Sequence, residues 1–375
     1  MTVQTYQVAY STDKTNYTVL SNVVSLDIKL GREHLVDNFV AGTGTVVMRY
    51  PTGFASPIAA LVSGTYIKIT NTTSGRIQWI GVINDVEIAY DIPYVGGVGN
   101  GDYLTLHLEG ALAALARSNG NSYSMASNPI DTQISNASSQ SGVTIFSSFG
   151  SGVPPTLAGT TVGTSWADWI NTTNASINGR VYDNNGALWW NGPGQIKAST
   201  INFSDTTNNA TNQVYDKITY ESLSQNYFTQ VTITPNSLAA QVASSGSAPY
   251  RNLGLSTFNG STGQALDLAN YLLNTYNTAL SNISSISCFA NAQSSMQLDA
   301  LGTDVDGANL WSSISKRVSI AFRGQTLYGV VEGVALSATP DSARYTYYVS
   351  PADLNAYLIL NDAVFGRLDY NKLGY

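Results

Sequence analysis

The sequence predicts a mainly-β chain: antiparallel strands gathered into small barrels or sandwiches, with α+β and helical subdomains inserted among them. Three observations carry that reading. Apolar residues alternate with polar ones in many short runs, the period-2 signature of half-buried strands. Turn formers separate these runs at close intervals, and the 375 residues include 33 Gly. Charge is sparse: only 11% of residues are Asp, Glu, Lys or Arg, roughly half the usual share of about 25%. With 43% hydrophobic residues the composition is not that of a disordered chain.

The most informative stretch runs from Val24 to Pro57. Val24, Leu26, Ile28 and Leu30 share one strand face, and the pattern breaks at Gly31. A polar turn carrying Arg32, Glu33 and Asp37 follows, then a second strand through Thr45, Val46, Val47 and Met48 that stops at Pro51. Alternation recurs over residues 66–69, 76–83 and 103–108, with a turn signal at 71–75 and a loop or hairpin tip at 93–101. At Gly110 the period changes. Residues 111–117 are helix-prone, with Leu112, Leu115 and Ala116 on one side. From Ser118 to Thr161 the chain is rich in Ser, Asn and Gly; short elements are expected only at 130–134 and 143–146.

Residues 166–177 form a helix capped by Thr164 or Ser165, leading into a hairpin whose turn is Asp183-Asn184-Asn185-Gly186. Adjacent Trp189 and Trp190 on that hairpin point to opposite faces, one inward and one against a neighbour. Strands are expected at 214–220 and 227–234. A helix capped by Ser261 or Thr262 runs to about Ser281, with Leu266, Ala269, Leu273, Tyr276 and Leu280 on its apolar stripe. Strands return at 318–322, 327–336 and 344–349 around a Gly324 turn. The strands of 206–242 are too few to close a barrel, so those of 310–355 are expected to complete it. The expected organisation is a barrel over 1–110, an α+β insert over 111–205, a discontinuous second barrel, a helix-containing insertion over 243–309 and a tail over 356–375.

Chemistry is hard to place on this chain. A net charge of −7 and 17 scattered Lys and Arg argue against gripping phosphates, so no sequence-specific nucleic-acid binding is expected. The single cysteine, Cys288, allows no intramolecular disulfide and reads as a small buried hydrophobe. The first residues show no basic region followed by an apolar run, and no stretch nears 18 apolar residues, so neither signal peptide nor transmembrane segment is expected. His34 lies in the polar turn and His107 on a strand face that is solvated or meets a partner; neither reads as a catalytic base. Residues 302–307 and 183–186 each resemble half a calcium loop but lack the distal acid, so turn chemistry explains them and no metal or cofactor is expected. Trp189, Trp190 and Tyr-rich strands leave sugar stacking as an alternative.

The organisation carries a family likeness. Gly31-Arg32, then residues 37–47 (Asp37, Phe39, Ala41, Gly42, Thr43, Gly44), then 51–57 resemble the N-terminal signature of minor tail proteins from tailed bacteriophages. Residues 360–375 resemble that family's closing segment, ending Leu373-Gly374-Tyr375. Asn178-Gly179-Arg180-Val181-Tyr182 with Gly186 and Leu188, and Val330-Val331-Glu332-Gly333-Val334, match it more weakly. Gly44 stands where the family has Ala. The resemblance implies a non-enzymatic hub at the distal tip of the virion tail, made in the host cytoplasm. It implies a homotrimer with two tube-like β-barrels per chain, continuing the tail tube and meeting distal tail, tape-measure and receptor-binding proteins. In that setting Arg32, Glu33 and Asp37 become a candidate subunit contact. A carbohydrate- or receptor-binding tail module is the alternative.

Overall fold

The computed structural model describes residues 5–34, 37–50, 59–73, 75–90, 102–148, 154–184, 186–192, 197–206, 212–222, 227–276, 281–289, 304–306, 309–311 and 314–351. The expected loops at 51–57 and 93–101, and the closing segment 360–375 with the tail that holds it, lie outside these residues.

Strand is the dominant element, as the alternation predicts, and one 14-stranded sheet organises the molecule. Its N-terminal part runs Val23–Gly31, Thr43–Tyr50, Asp102–Glu109, Arg76–Ala89, Tyr66–Asn71, Tyr6–Ser11, each antiparallel to the next. Its C-terminal part joins Lys197–Ser204, Lys316–Phe322, Gln325–Thr339, Ser342–Pro351, Ser281–Phe289 and Lys217–Ser222. The two parts are not separate closed barrels. Gln325–Thr339 is 15 residues long. It spends its first half on Lys316–Phe322 and its second half on Val23–Gly31. Against Ser342–Pro351 its register slips by one residue between Val331 and Gly333, a β-bulge at Glu332. The slip lets one long strand change partners, fusing the two parts along a seam. Their interiors form one apolar core that includes Leu26, Ile28, Val46, Trp79 and Leu106 from the first part and Val318, Val334, Tyr345 and Tyr347 from the second. Cys288 is buried in it.

Four helices are described: α1 (Ala111–Arg117), α2 (Ile130–Ser141), α3 (Trp166–Ile177) and α4 (Thr262–Tyr276). Helix α2 corrects the expectation of fragmentary order over 118–161. Its Ser- and Asn-rich sequence has weak intrinsic propensity, but Ile130, Ile134 and Ala137 recur on one buried face. Gln133 donates to Ala126 O at 2.9 Å, and Gly142 ends the helix with a left-handed φ of 73°. Helix α3 begins where expected, with Ser165 Oγ accepting from the Ala167 and Asp168 amides. With α1, α2 and the Arg180–Asn184/Ala187–Asn191 hairpin it encloses a second core. The two hairpin tryptophans do face opposite ways, and each finds its neighbour within the chain: Trp190 enters this second core, Trp189 the sheet core.

A third core lies between α4 and a three-stranded sheet of Gln230–Pro235, Gln241–Ser244 and Asn252–Thr257. Gln230–Pro235, expected in the second barrel, therefore belongs with α4, whereas Ser281–Phe289 and Lys197–Ser204 join the large sheet. Ser281 opens a strand rather than closing the helix, and Leu266 is exposed while Ala265, Leu268 and Leu272 are buried.

Candidate functional site

The signature residues converge on one buried locus at the seam. Gly31 ends its strand with a left-handed φ of +84°, and a Cβ there would lie 2.3 Å from Glu332 O. That turn drives Arg32 inward, where it is 6% exposed. Its backbone amide donates to Glu332 O at 3.1 Å, and its Nε donates to Glu332 Oε2 at 2.9 Å. From the hairpin, Arg180 Nη2 and Nε donate to Glu332 Oε1 at 2.7 and 3.2 Å. The bulge aims the Glu332 side chain at both guanidiniums, so one carboxylate ties three distant segments together.

The electrostatics follow from burial. Desolvation opposes the charge on Glu332, but the Arg180 and Arg32 guanidiniums outweigh it by charge and hydrogen bonding and hold its carboxyl below the usual range. Burial works against the charge on Arg180 as well; the Glu332 carboxylate overrides it and keeps that guanidinium ionised. Arg32 also donates through Nη1 to Asp37 O at 3.1 Å and sits 4.2 Å from the Phe39 ring centroid, a cation–π contact. Burial, then the nearby Glu332 charge, drives the Tyr276 phenol of α4 well above its ordinary value. Two cations and one anion leave this buried cluster with a formal charge of +1.

A second polar anchor adjoins it. Asp183, fully buried on the same hairpin, accepts from the Gly42 amide at 2.5 Å and the Leu112 amide at 3.0 Å. Gly110, at the N-cap of α1, has no side chain to cap the helix, and a Cβ there would meet Asp183 Cγ at 2.4 Å. The hairpin carboxylate replaces the missing cap from across the fold. Burial raises the Asp183 carboxyl from 3.8 to about 6, against three backbone amides that pull it down.

Of the three residues expected at a subunit contact, Arg32 is buried and engaged within the chain, whereas Glu33 and Asp37 are exposed. Glu33 pairs with Lys29, and Asp37 Oδ2 accepts from the His34 amide at 3.0 Å. His107 faces Glu87 on the half-exposed sheet surface, 3.6 Å away. The half calcium loops are otherwise employed: Asp183 binds amides, and Asp304–Asp306 is a strand paired with Asn309–Trp311. Trp189 and Trp190, at 8% and 0% exposure, have no open face for a sugar. Sequence reasoning missed Glu332, Arg180 and Asp183 as site residues because their partners lie 71 to 300 positions away. The available signal was that each falls inside a signature segment.

Solved structures share the overall fold of this chain. The tail protein from Neisseria meningitidis MC58 superposes with a TM-score of 0.61 at 13% identity, covering 92% of this chain and 96% of that one. The chain has the fold of phage tail proteins. The 43 kDa tail protein of prophage MuSo2 from Shewanella oneidensis gives a TM-score of 0.58 at 11% identity, over 92% and 97% of the two chains. Prophage tail protein gp18 from Listeria monocytogenes EGD-e gives 0.53 at 10% identity, over 91% and 94%. No protein-family model and no curated protein matches the sequence. The tail-protein fold is therefore held at sequence identities where few side chains are shared.

Proposed function

We propose that this chain is a structural, non-enzymatic subunit of a phage tail: a trimeric hub at the distal tip that continues the tail tube and joins it to receptor-binding proteins for adsorption and DNA delivery. The observation that carries this reading is the extent of the match, 92% of this chain against 96% of a tail protein at a TM-score of 0.61. The composition supports it. Surfaces packed between neighbours in a ring favour neutral polar and aromatic groups, because desolvating unpaired charge is costly, and only 11% of this chain is charged. An acidic subunit, at −7, suits a channel through which DNA passes without sticking. The polar cluster that the fold buries is spent on joining segments. In this reading Glu33 and Asp37 contact the neighbouring subunit, and the large sheet supplies the two tube-like parts of each protomer.

Cryo-electron microscopy of tails carrying the chain tests the proposal. Three copies around the axis at the distal end are expected; a copy number other than three, or a position off the axial channel, overturns it. A lytic band in zymography on host cell wall would overturn the non-enzymatic reading.

A further inference from the structure

The Arg32–Glu332–Arg180 group holds two guanidiniums against one carboxylate. Both Glu332 oxygens are taken, Oε2 by Arg32 and Oε1 by Arg180. Arg32 Nη2 is buried and has no hydrogen-bond partner. A narrow cleft of about 50 Å³ reaches Arg32 between the signature turn, α3 and the α4 insert. Arg32 is its buried wall and Asp37 part of its exposed rim; Asn174 and Asn178 of the α3 end line one side, Leu255 and Leu272 the other. Asn174, 4% exposed, is a second buried polar residue of the lining.

We infer that this cleft is a carboxylate-binding site, which seats the side chain of an Asp or Glu from another polypeptide, or a free carboxylate of the same size, against Arg32. Charge decides the ligand class. A buried guanidinium N–H without an acceptor is costly, and a planar carboxylate accepts from a guanidinium in the geometry that group prefers. The apolar wall of Leu255 and Leu272 suits the short methylene stem that carries such a group. Asp37 at the rim carries the one like charge on the cleft. It selects for a carboxylate that reaches past it to the guanidinium over one that stays outside. The inference stands on the cluster's geometry and does not depend on the tail role.

The test uses the full chain at pH 7.5 with sodium acetate as probe, against sodium chloride at matched ionic strength and acetamide as the neutral isostere. Acetate is expected to raise Tm saturably by roughly 2 °C or more, with acetamide near inert. The Ala175→Leu variant fills the cleft from α3 without touching the Arg–Glu–Arg cluster, and should melt like wild type in chloride while losing the acetate response. A carboxylate supplied by a second copy or a partner protein is read separately. Acetate should then weaken self-association or partner binding in mass photometry, and Ala175→Leu should do the same. An equal response to acetate and acetamide, an acetate response that survives Ala175→Leu, or no acetate response at all overturns the assignment.

Discussion

Two buried polar junctions tie the N-terminal strands to the last strands, and they are built from opposite chemistry. At the seam, Arg32 and Arg180 share the Glu332 carboxylate. In the sheet core, Tyr6 Oη meets Tyr345 Oη at 2.8 Å, and Tyr345 Oη donates to Gln78 Oε1 at 3.3 Å. The first is charged and all-or-none: removing Glu332 strands two guanidiniums in a desolvated site. The second is neutral and graded, because a lost phenol hydroxyl leaves a ring that still packs. Direction also differs. The ionic junction fixes how the hairpin and its helices sit on the sheet, whereas the tyrosine pair joins the two parts of that sheet across one core. Charge has been placed where register and orientation must be unique, and neutral hydrogen bonds where apolar packing already decides.

The contrast is broken most severely at Glu332. Glu332→Gln should lower unfolding free energy by about 3–5 kcal/mol, seen as a lower urea midpoint. Its pH signature has a definite sign. A carboxyl held below its ordinary value of 4.5 stabilises the fold above that pH, and the contribution is lost as acid titrates through the lower folded value.

Asp183 behaves in the opposite sense. Its carboxyl moves from 3.8 up to about 6, so the fold is favoured in full below pH 3.8 and loses about 3 kcal/mol as pH rises through 6, at 1.36 kcal/mol per unit. Asp183→Asn should flatten urea midpoints measured between pH 4 and 6.5; an unchanged slope would assign that titration elsewhere. Gly31→Ala should cost about 2 kcal/mol or more, since the new methyl meets both a positive φ and the Glu332 carbonyl. Smallest is Tyr6→Phe at the neutral junction, about 1 kcal/mol with no pH dependence between 4 and 8. A loss there as large as that of Glu332→Gln would erase the distinction between the two junctions.

Local rules made much of this fold legible. Ala111–Arg117 and Trp166–Ile177 are set by helix-prone residues, an apolar stripe and the Ser165 cap, all within a dozen positions. The Asp183–Gly186 turn reads directly as a hairpin. What stayed hidden is tertiary. Nothing near Gln325–Thr339 signals that one strand serves two partners, since that depends on a bulge at Glu332 and on Gly333 lying close against Leu30 and Arg32 backbone. Helix α2 is likewise imposed by its buried Ile130, Ile134 and Ala137 rather than by propensity. For the site, the turn at Arg32–Asp37 was visible as a charge cluster, but its direction was not. Only the left-handed Gly31 turns Arg32 into the protein while leaving Glu33 outside.

The central claim is that Arg32, Arg180 and Glu332 act as one internal tie, and a double-mutant cycle on Arg180→Ala and Glu332→Ala by urea unfolding tests it most directly. The single variants should each be strongly destabilised and the double variant much less than their sum, with a coupling energy of about 2 kcal/mol or more. Additive losses, with coupling near zero, would contradict the account.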